Sequence, residues 1–144
     1  MYFSYNNREN TIKINRIMIN AVRIFRLSHY VYKKNKVLGD LIKLFNTMVN
    51  GCDIIPSATI GKNFNLPHPI GVVIGICTIG DNVTIFQNTT LGCKMDGTSD
   101  YPIIEDNVKI FCHSVILGNV IIKKDSFVKA NSFIFNKQNE QVIK

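Results

Sequence analysis

Residues 104–134 read IEDNVK-IFCHSV-ILGNVI-IKKDSF-VKANSF-I when the stretch is divided into sixes. Each step opens on an aliphatic residue: Ile104, Ile110, Ile116, Ile122, Val128 and Ile134. A spacing of six fits neither the 3.6-residue period of an α-helix nor the alternation of an ordinary strand. It fits a three-faced coil in which each step makes one short strand and one turn, with the opening residue stacked inward. The stretch therefore predicts an all-β solenoid, a hexapeptide-repeat parallel β-helix.

The same spacing begins earlier in the chain, with two interruptions. Aliphatic residues recur through Ile54, Ile60 and Leu66, and then through Val73, Ile79, Ile85 and Leu91. The interval from Leu66 to Val73 is seven residues, which places one extra residue beside the Pro67-His68-Pro69 string. The interval from Leu91 to Ile104 is thirteen, which predicts a polar loop at about residues 93–101. A polar excursion from a regular solenoid usually lies on its functional face.

The first fifty residues follow a helical pattern instead. Apolar residues recur at helical spacing from Thr11 to about Tyr32, and a second helix is predicted from Leu38 to Val49, ending at Asn50-Gly51. We therefore divide the chain into an N-terminal helical segment, residues 1–50, and a β-helix domain, residues 51–144. An apolar, basic helical hairpin could cap the open first coil, pack against another subunit or contact a membrane surface, and the sequence leaves these roles open.

The composition is that of one domain with a short appendage. The 144 residues are 46% hydrophobic and carry a net charge of +7. A basic chain can attract nucleic acid or a polyanionic cofactor, but aromatic residues are not interleaved with the basic ones as a nucleic-acid stacking platform requires. We recognise no signal peptide and no uncharged apolar run of about 18 residues. We therefore expect a cytoplasmic protein that binds no nucleic acid.

The four cysteines are expected to be reduced. None belongs to a Cys-x-x-Cys pair, and none is spaced from a histidine as a metal site would require. Two of them fall within the repeats, at positions where a small apolar residue fits. We therefore predict packing cysteines and no bound metal.

Of the three histidines, one stands at an irregularity of the repeat. His29 lies in the helical segment, and His113 lies in a regular six-residue step near a coil corner, so we expect structural roles for both. His68 lies between two prolines where the spacing slips by one residue. His68 is therefore the candidate for a role in chemistry.

Five strings between Asp53 and Ser132 resemble the catalytic domain of serine acetyltransferases and of their shorter relatives that O-acetylate sugars of surface polysaccharides. In chain order the strings are Asp53-Ile54, His68-x-x-Gly71-Val72-Val73-Ile74-Gly75, Ile79-Gly80-Asp81-Asn82-Val83, Gln87-x-x-Thr90-Leu91-Gly92 and Ile116-Leu117-Gly118-Asn119. The resemblance covers a little over half of the chain. It implies a left-handed β-helix, an unusual hand for parallel crossovers, and a homotrimer with active sites between subunits.

The resemblance also implies catalytic roles. His68 matches the family's general base, and Asp53, fifteen residues earlier and so close to one coil away, matches the carboxylate that orients it. A neutral imidazole would take the proton of an acceptor hydroxyl as that hydroxyl attacks the thioester of acetyl-CoA. The carboxylate would fix the tautomer and stabilise the imidazolium. Backbone N–H groups near Gly92 are the candidates for stabilising the oxyanion.

Coenzyme A would lie, by the same resemblance, in a groove between neighbouring subunits along the later coils. Its predicted contacts are Cys112, Gly118, Lys129 and Ala130. Small residues at such positions let the pantetheine arm approach the backbone. Lys129, together with Lys123 and Lys124, could attract the phosphates or could belong to a solvated edge. The predicted acceptor-binding residues are Gln87, Asp100 and Tyr101.

Two departures from the family pattern bear on the acceptor. Serine acetyltransferases carry a long helical domain before this region, whereas about fifty residues precede Asp53 here. They also carry a second histidine after the bulged loop, which contacts the amino-acid substrate, and Tyr101 stands at the matching position. Both departures favour a sugar hydroxyl of a polysaccharide precursor, with L-serine as the alternative. A non-catalytic solenoid scaffold is a third possibility, which would need neither Asp53 nor His68.

Overall fold

The computed structural model describes residues 20–93 and 100–135, which form two helices followed by short parallel strands. Helix α1 spans Ala21–Tyr32 and helix α2 spans Lys36–Asn50. The strands of the described region are β1 Asp53–Ile54, β2 Thr59–Ile60, β3 Val73–Ile74, β4 Thr78–Ile79, β5 Thr84–Ile85, β6 Thr90–Gly92, β7 Ile103–Ile104, β8 Lys109–Ile110, β9 Val115–Leu117, β10 Ile121–Ile122, β11 Phe127–Val128 and β12 Phe133–Phe135.

Successive strands belong to three sheets in turn, which makes the described region a parallel β-helix. Sheet A has the order β1-β3-β6-β9-β12, sheet B the order β10-β7-β4-β2 and sheet C the order β11-β8-β5. In the first coil Asn65 takes the place of a strand in sheet C through a parallel bridge to Thr84. All ladders are parallel, so each circuit lays its strands beside those of the previous circuit.

The core is a narrow column of stacked aliphatic side chains. In sheet A the register aligns Ile54, Ile74, Leu91 and Ile116, and all four side chains are buried. Each therefore contacts its equivalent one coil away, as the six-residue spacing predicts. Small or branched residues two positions before these anchors, such as Val72, fill the rest of the column.

One predicted anchor is wrong. Val73 was expected to point inward, but it is 40% exposed, and its neighbour Ile74 is fully buried. The register pairs Asp53 with Val73 and Ile54 with Ile74, so the segment containing His68 holds two extra residues rather than one. The following step, from Ile74 to Ile79, is one residue short. The error arose because Val73 and Ile74 are both β-branched, and spacing alone does not distinguish them.

The corner between sheets B and C is held by a ladder of asparagine side chains. Asn63, Asn82 and Asn107 have φ angles of 52°, 58° and 59°, and Asp125 follows with 61°. Asn tolerates this left-handed region better than most residues. The Nδ2 group of Asn82 donates to Asn107 Oδ1 at 3.1 Å, and that of Asn107 donates to Asp125 Oδ1 at 2.8 Å. The ladder therefore links successive coils outside the core.

The helical hairpin lies against the first coil. Helix α1 begins later than predicted. Asn20 has extended backbone, and its side chain caps the helix by accepting a hydrogen bond from Val22 N. Residues 1–19 of the predicted helical segment lie outside the described residues. The guanidinium of Arg26 donates to the carbonyls of Ile60 and Gly61, and His29 Nδ1 lies 2.7 Å from Pro56 O. The hairpin thus satisfies edge carbonyls of the first coil, which confirms the predicted capping role.

The outer face of α2 is apolar and exposed. Its exposed apolar residues are Val37, Leu38, Leu41, Leu44, Phe45, Met48 and Val49. Subunit packing and membrane contact at this face stay predictions. Neither described helix is both long and apolar enough to span a bilayer.

The two cysteines of the core behave as packing residues. Cys52 and Cys77 are buried and unpaired, whereas Cys93 is exposed and Cys112 is half-buried. Burial raises the pKa of the Cys77 thiol to about 12. Burial, and secondarily the nearby Asp53 carboxylate, raises the pKa of the Cys52 thiol to about 11. Both thiols are therefore protonated at neutral pH.

We expect Asn107→Ala to lower the free energy of unfolding by about 2 kcal/mol, because alanine disfavours a positive φ and loses both ladder hydrogen bonds. Asn107→Gly removes the same bonds but accepts the backbone, so it should cost about half as much. Urea titration of both variants measures the difference. Equal losses in the two variants would show that the backbone conformation is not the cause.

At pH 8 we expect a thiol reagent to label Cys93 rapidly in the folded protein and to leave Cys52 and Cys77 unmodified until urea is added. Mass spectrometry after a labelling time course identifies the labelled cysteines. Labelling of Cys77 as fast as Cys93 would contradict this prediction.

The raised pKa values of Cys52 and Cys77 also predict that the free energy of unfolding falls as pH rises from the ordinary thiol range toward 11. The reason is that the unfolded chain loses these two protons at lower pH than the folded protein does.

Candidate active site

Five of the predicted site residues lie along the corner between sheets C and A, namely His68, Gln87, Cys112, Lys129 and Ala130. Backbone hydrogen bonds stack this corner coil on coil: Asn88 N donates to Ile70 O at 3.1 Å, His113 N to Gln87 O at 3.1 Å and Asn131 N to Cys112 O at 3.0 Å. The segment with His68 and the later residues Gln87, Cys112 and Ala130 therefore lie one above another.

His68 stands on a turn of fixed shape at this corner. Gly71 has a φ of 71°, and its N–H donates to Gly51 O at 2.8 Å. This positive φ favours glycine, and a side chain at Gly71 would also displace the side-chain oxygen of Asn88. The His68 side chain is exposed, and no hydrogen bond joins it to another described residue. An exposed imidazole on a rigid turn is available to a substrate.

Asp53 opens sheet A beside the same corner. Its N–H donates to Val72 O at 2.8 Å, and its side chain is 42% exposed. Lys43 Nζ of helix α2 lies 2.7 Å from Asp53 Oδ1, so the two side chains form an ion pair. No ion pair joins Asp53 to His68 among the described residues of this single chain. The orienting contact inferred from the resemblance therefore stays a prediction.

Gln87 Oε1 is a buried side-chain atom with no hydrogen-bond partner among the described residues. Asp53 Oδ1 is also buried, but Lys43 Nζ at 2.7 Å is its charged partner. Buried polar atoms are nearly always satisfied in folded proteins, so Gln87 Oε1 marks a place where a ligand or another subunit supplies a partner.

Gly92 and Gly118 lie at a different corner, where sheet A leads to sheet B. Gly118 N donates to Gly92 O at 3.0 Å, so the two glycines stack on successive coils. Residues 94–99 of the predicted loop lie outside the described residues, and Asp100 and Tyr101, which follow them, are half-buried. Sheet A thus separates these predicted residues from the corner that carries His68.

The predicted phosphate-binding lysines are also divided. Lys129 precedes Ala130 at the corner with His68. Lys123 instead forms a 3.2 Å ion pair with Glu105 at the corner between sheets B and C, and Lys124 N donates to the same carboxylate at 2.9 Å. The bond from Lys124 N and then that from Lys123 lower the pKa of Glu105. Of the two predicted roles, the structure therefore favours a solvated edge for Lys123 and Lys124.

Sequence reasoning missed Lys43 as a neighbour of this site. Lys43 lies ten residues before Asp53, and no pattern in the sequence indicates that the helix folds back to bring them together. Among the described residues, no group of three or more His, Cys, Asp or Glu side chains is arranged to hold a metal ion.

Comparison with known proteins gives one consistent answer. The chain is 40% identical over 121 residues to the serine acetyltransferase of Staphylococcus xylosus, covering 82% of this chain and 56% of that protein. It is also 40% identical over 119 residues to that of Staphylococcus epidermidis, covering 81% and 56%. No protein-family profile matches the chain. The chain thus spans about half the length of the curated relatives it matches.

Solved structures of similar fold carry the same name. A serine acetyltransferase in complex with cysteine matches with a TM-score of 0.77 and 31% identity, covering 81% of this chain and 49% of that one. A serine acetyltransferase in complex with CoA matches with a TM-score of 0.74 and 32% identity, covering 83% and 50%. These neighbours confirm the predicted left-handed parallel β-helix with N-terminal helices.

Proposed function

The chain belongs to the serine acetyltransferase-like family of hexapeptide-repeat proteins, and on that premise we propose that it is an acetyl-CoA-dependent O-acetyltransferase. The observation that carries the proposal is the position of His68. It is exposed on a turn and stacked beside Gln87, whose buried Oε1 has no hydrogen-bond partner among the described residues. A substrate bound at this corner would supply that partner.

We propose L-serine as the acceptor. The two departures from the family pattern favour a sugar hydroxyl, but the relatives at 40% identity are named serine acetyltransferases, and the comparisons point to serine rather than to a polysaccharide. A sugar stays the second candidate because of one observation. Tyr101, half-buried at the end of the loop, stands where the resemblance implies a histidine that contacts the amino acid. A phenol hydroxyl is a poorer partner than a histidine for a carboxylate at neutral pH.

In the proposed mechanism His68 accepts the proton of the acceptor hydroxyl as its oxygen attacks the thioester carbonyl carbon. The tetrahedral intermediate carries an oxyanion that backbone N–H groups near Gly92 would stabilise. Collapse breaks the carbon–sulfur bond, and the imidazolium returns its proton to the departing thiolate of coenzyme A. Asp53 stabilises the imidazolium while it carries that proton. The products are O-acetylserine and coenzyme A.

The residues proposed to contact coenzyme A and the acceptor lie partly on the corner between sheets C and A, where His68 stands. We propose that Cys112, Ala130 and Lys129 contact coenzyme A there, and that Gln87 Oε1 accepts a hydrogen bond from a bound substrate. Gly92, Gly118, Asp100 and Tyr101 lie across sheet A, at the other corner of the coil. A site that uses both corners is therefore completed best by a second subunit, which supports the proposed homotrimer. A cytoplasmic location is part of the same proposal.

The acceptor is tested by thiol release from acetyl-CoA with L-serine, beside a panel of sugars and nucleotide sugars. We expect saturable release with L-serine and production of O-acetylserine. Release with a sugar alone would show that the acceptor is a carbohydrate. If no acceptor gives release, and coenzyme A at 100 times any plausible Kd fails to add about 2.7 kcal/mol of stability, the protein is a scaffold.

We expect His68→Ala to lower kcat by about 10²–10⁴-fold, the usual contribution of a general base, and to leave the oligomeric state unchanged. His113→Asn is the matched control. His113 is exposed at the same corner with a φ of 59°, which asparagine accepts, so this variant should keep most of the activity. A folded His68→Ala protein with the turnover of the wild type would exclude the mechanism.

A further inference from the structure

We propose that Lys43 is a positioning residue of the active site, which holds one oxygen of the Asp53 carboxylate so that the other is presented to His68. This inference rests on the roles proposed above for Asp53 and His68. It assigns to the N-terminal hairpin a part in catalysis in addition to its capping of the first coil.

The geometry of the carboxylate favours this role. Lys43 Nζ lies 2.7 Å from Asp53 Oδ1, and the two side chains are 27% and 42% exposed. Oδ1 is itself buried, and Lys43 is its charged partner. With Oδ1 held in this way, Oδ2 is the oxygen that would be presented to an imidazole.

The backbone around Lys43 is fixed. Helix α2 ends at Asn50, and the φ of 66° at the following Gly51 turns the chain back so that Asp53 enters sheet A beside the helix. The buried side chain of Asn46, one turn after Lys43, donates to Ala21 O at 3.0 Å and so joins α2 to α1. Helix α1 is in turn clamped to the first coil by Arg26 and His29. Lys43 is thus carried by a rigid support.

The charges around Asp53 also favour this role. Lys43 Nζ lies 2.7 Å from the Asp53 carboxylate, and the nearby Cys52 thiol, whose pKa burial raises to about 11, is protonated at neutral pH. Lys43 therefore offsets the negative charge of Asp53. Removing that cation would leave more of the negative charge to stabilise a protonated His68.

Two measurable consequences follow for Lys43→Met. A carboxylate that is free to rotate orients the general base less well, so we expect kcat to fall about tenfold with the KM for acetyl-CoA unchanged. The unbalanced charge of Asp53 keeps His68 protonated to higher pH, so the acidic limb of the kcat/KM profile should move to higher pH. The thermal midpoint should change little, because partly exposed ion pairs contribute little to stability.

The test compares three variants of the full chain. Lys43→Met should show the loss of kcat and the displaced pH profile, and Lys43→Arg should restore most of both because it keeps the cation. Lys36→Met, which removes an exposed lysine from the same helix, should behave as the wild type. An unchanged kcat and pH profile in Lys43→Met, or a Lys43→Arg variant as impaired as Lys43→Met, would overturn the proposal.

A second measurement separates this inference from the proposed function. Histidine ring resonances, assigned with His68→Ala, are followed by NMR across pH in the wild type and in Lys43→Met without any substrate. We expect His68 to titrate at higher pH in the variant, even if no acceptor is ever acetylated. An unchanged His68 titration would show that Lys43 and Asp53 do not act on His68, whatever reaction the protein catalyses.

Discussion

The structure depends on the stacking of one aliphatic side chain per six-residue step on its equivalent in the next coil. The strands are two or three residues long, too short to form a sheet without that column. Each coil therefore derives its stability from its neighbours, as in other solenoids. The fixed register then decides which outward residues come together, and it stacks His68, Gln87, Cys112 and Ala130 on one corner.

The first coil has a neighbour on one side only, and the hairpin supplies the other. Beside the buried Ala21 and Phe25, polar residues attach the hairpin: Arg26 and His29 meet edge carbonyls, and Asn46 joins the two helices. Such contacts have strict geometry, so they fix the position of the helix rather than merely covering the coil. That precision allows a helix side chain to reach the start of sheet A, where the proposed site begins.

The repeat could be predicted from the sequence, because a period of six restricts the chain to one architecture. The loop and the catalytic role of His68 stay predictions. Which residue of β3 points inward could not be predicted, because Val73 and Ile74 are both β-branched aliphatic residues that suit the core equally well. The start of α1 was missed because Asn20 interrupts a helical pattern that apolar spacing alone continues. The ion pair of Lys43 with Asp53 depends on the path of the chain after Gly51, which a single sequence does not specify.

The unequal lengths of the coils have a mechanical consequence. A solenoid pulled from its last strand should release its coils in order, since each is held only by its neighbour. Ile116 and Ile134 are eighteen residues apart, Leu91 and Ile116 twenty-five, and Ile74 and Leu91 seventeen. At about 3.5 Å per extended residue, a force–extension trace would show a second step longer than the first and third. The inserted loop would thus be visible as a length in a single stretched molecule.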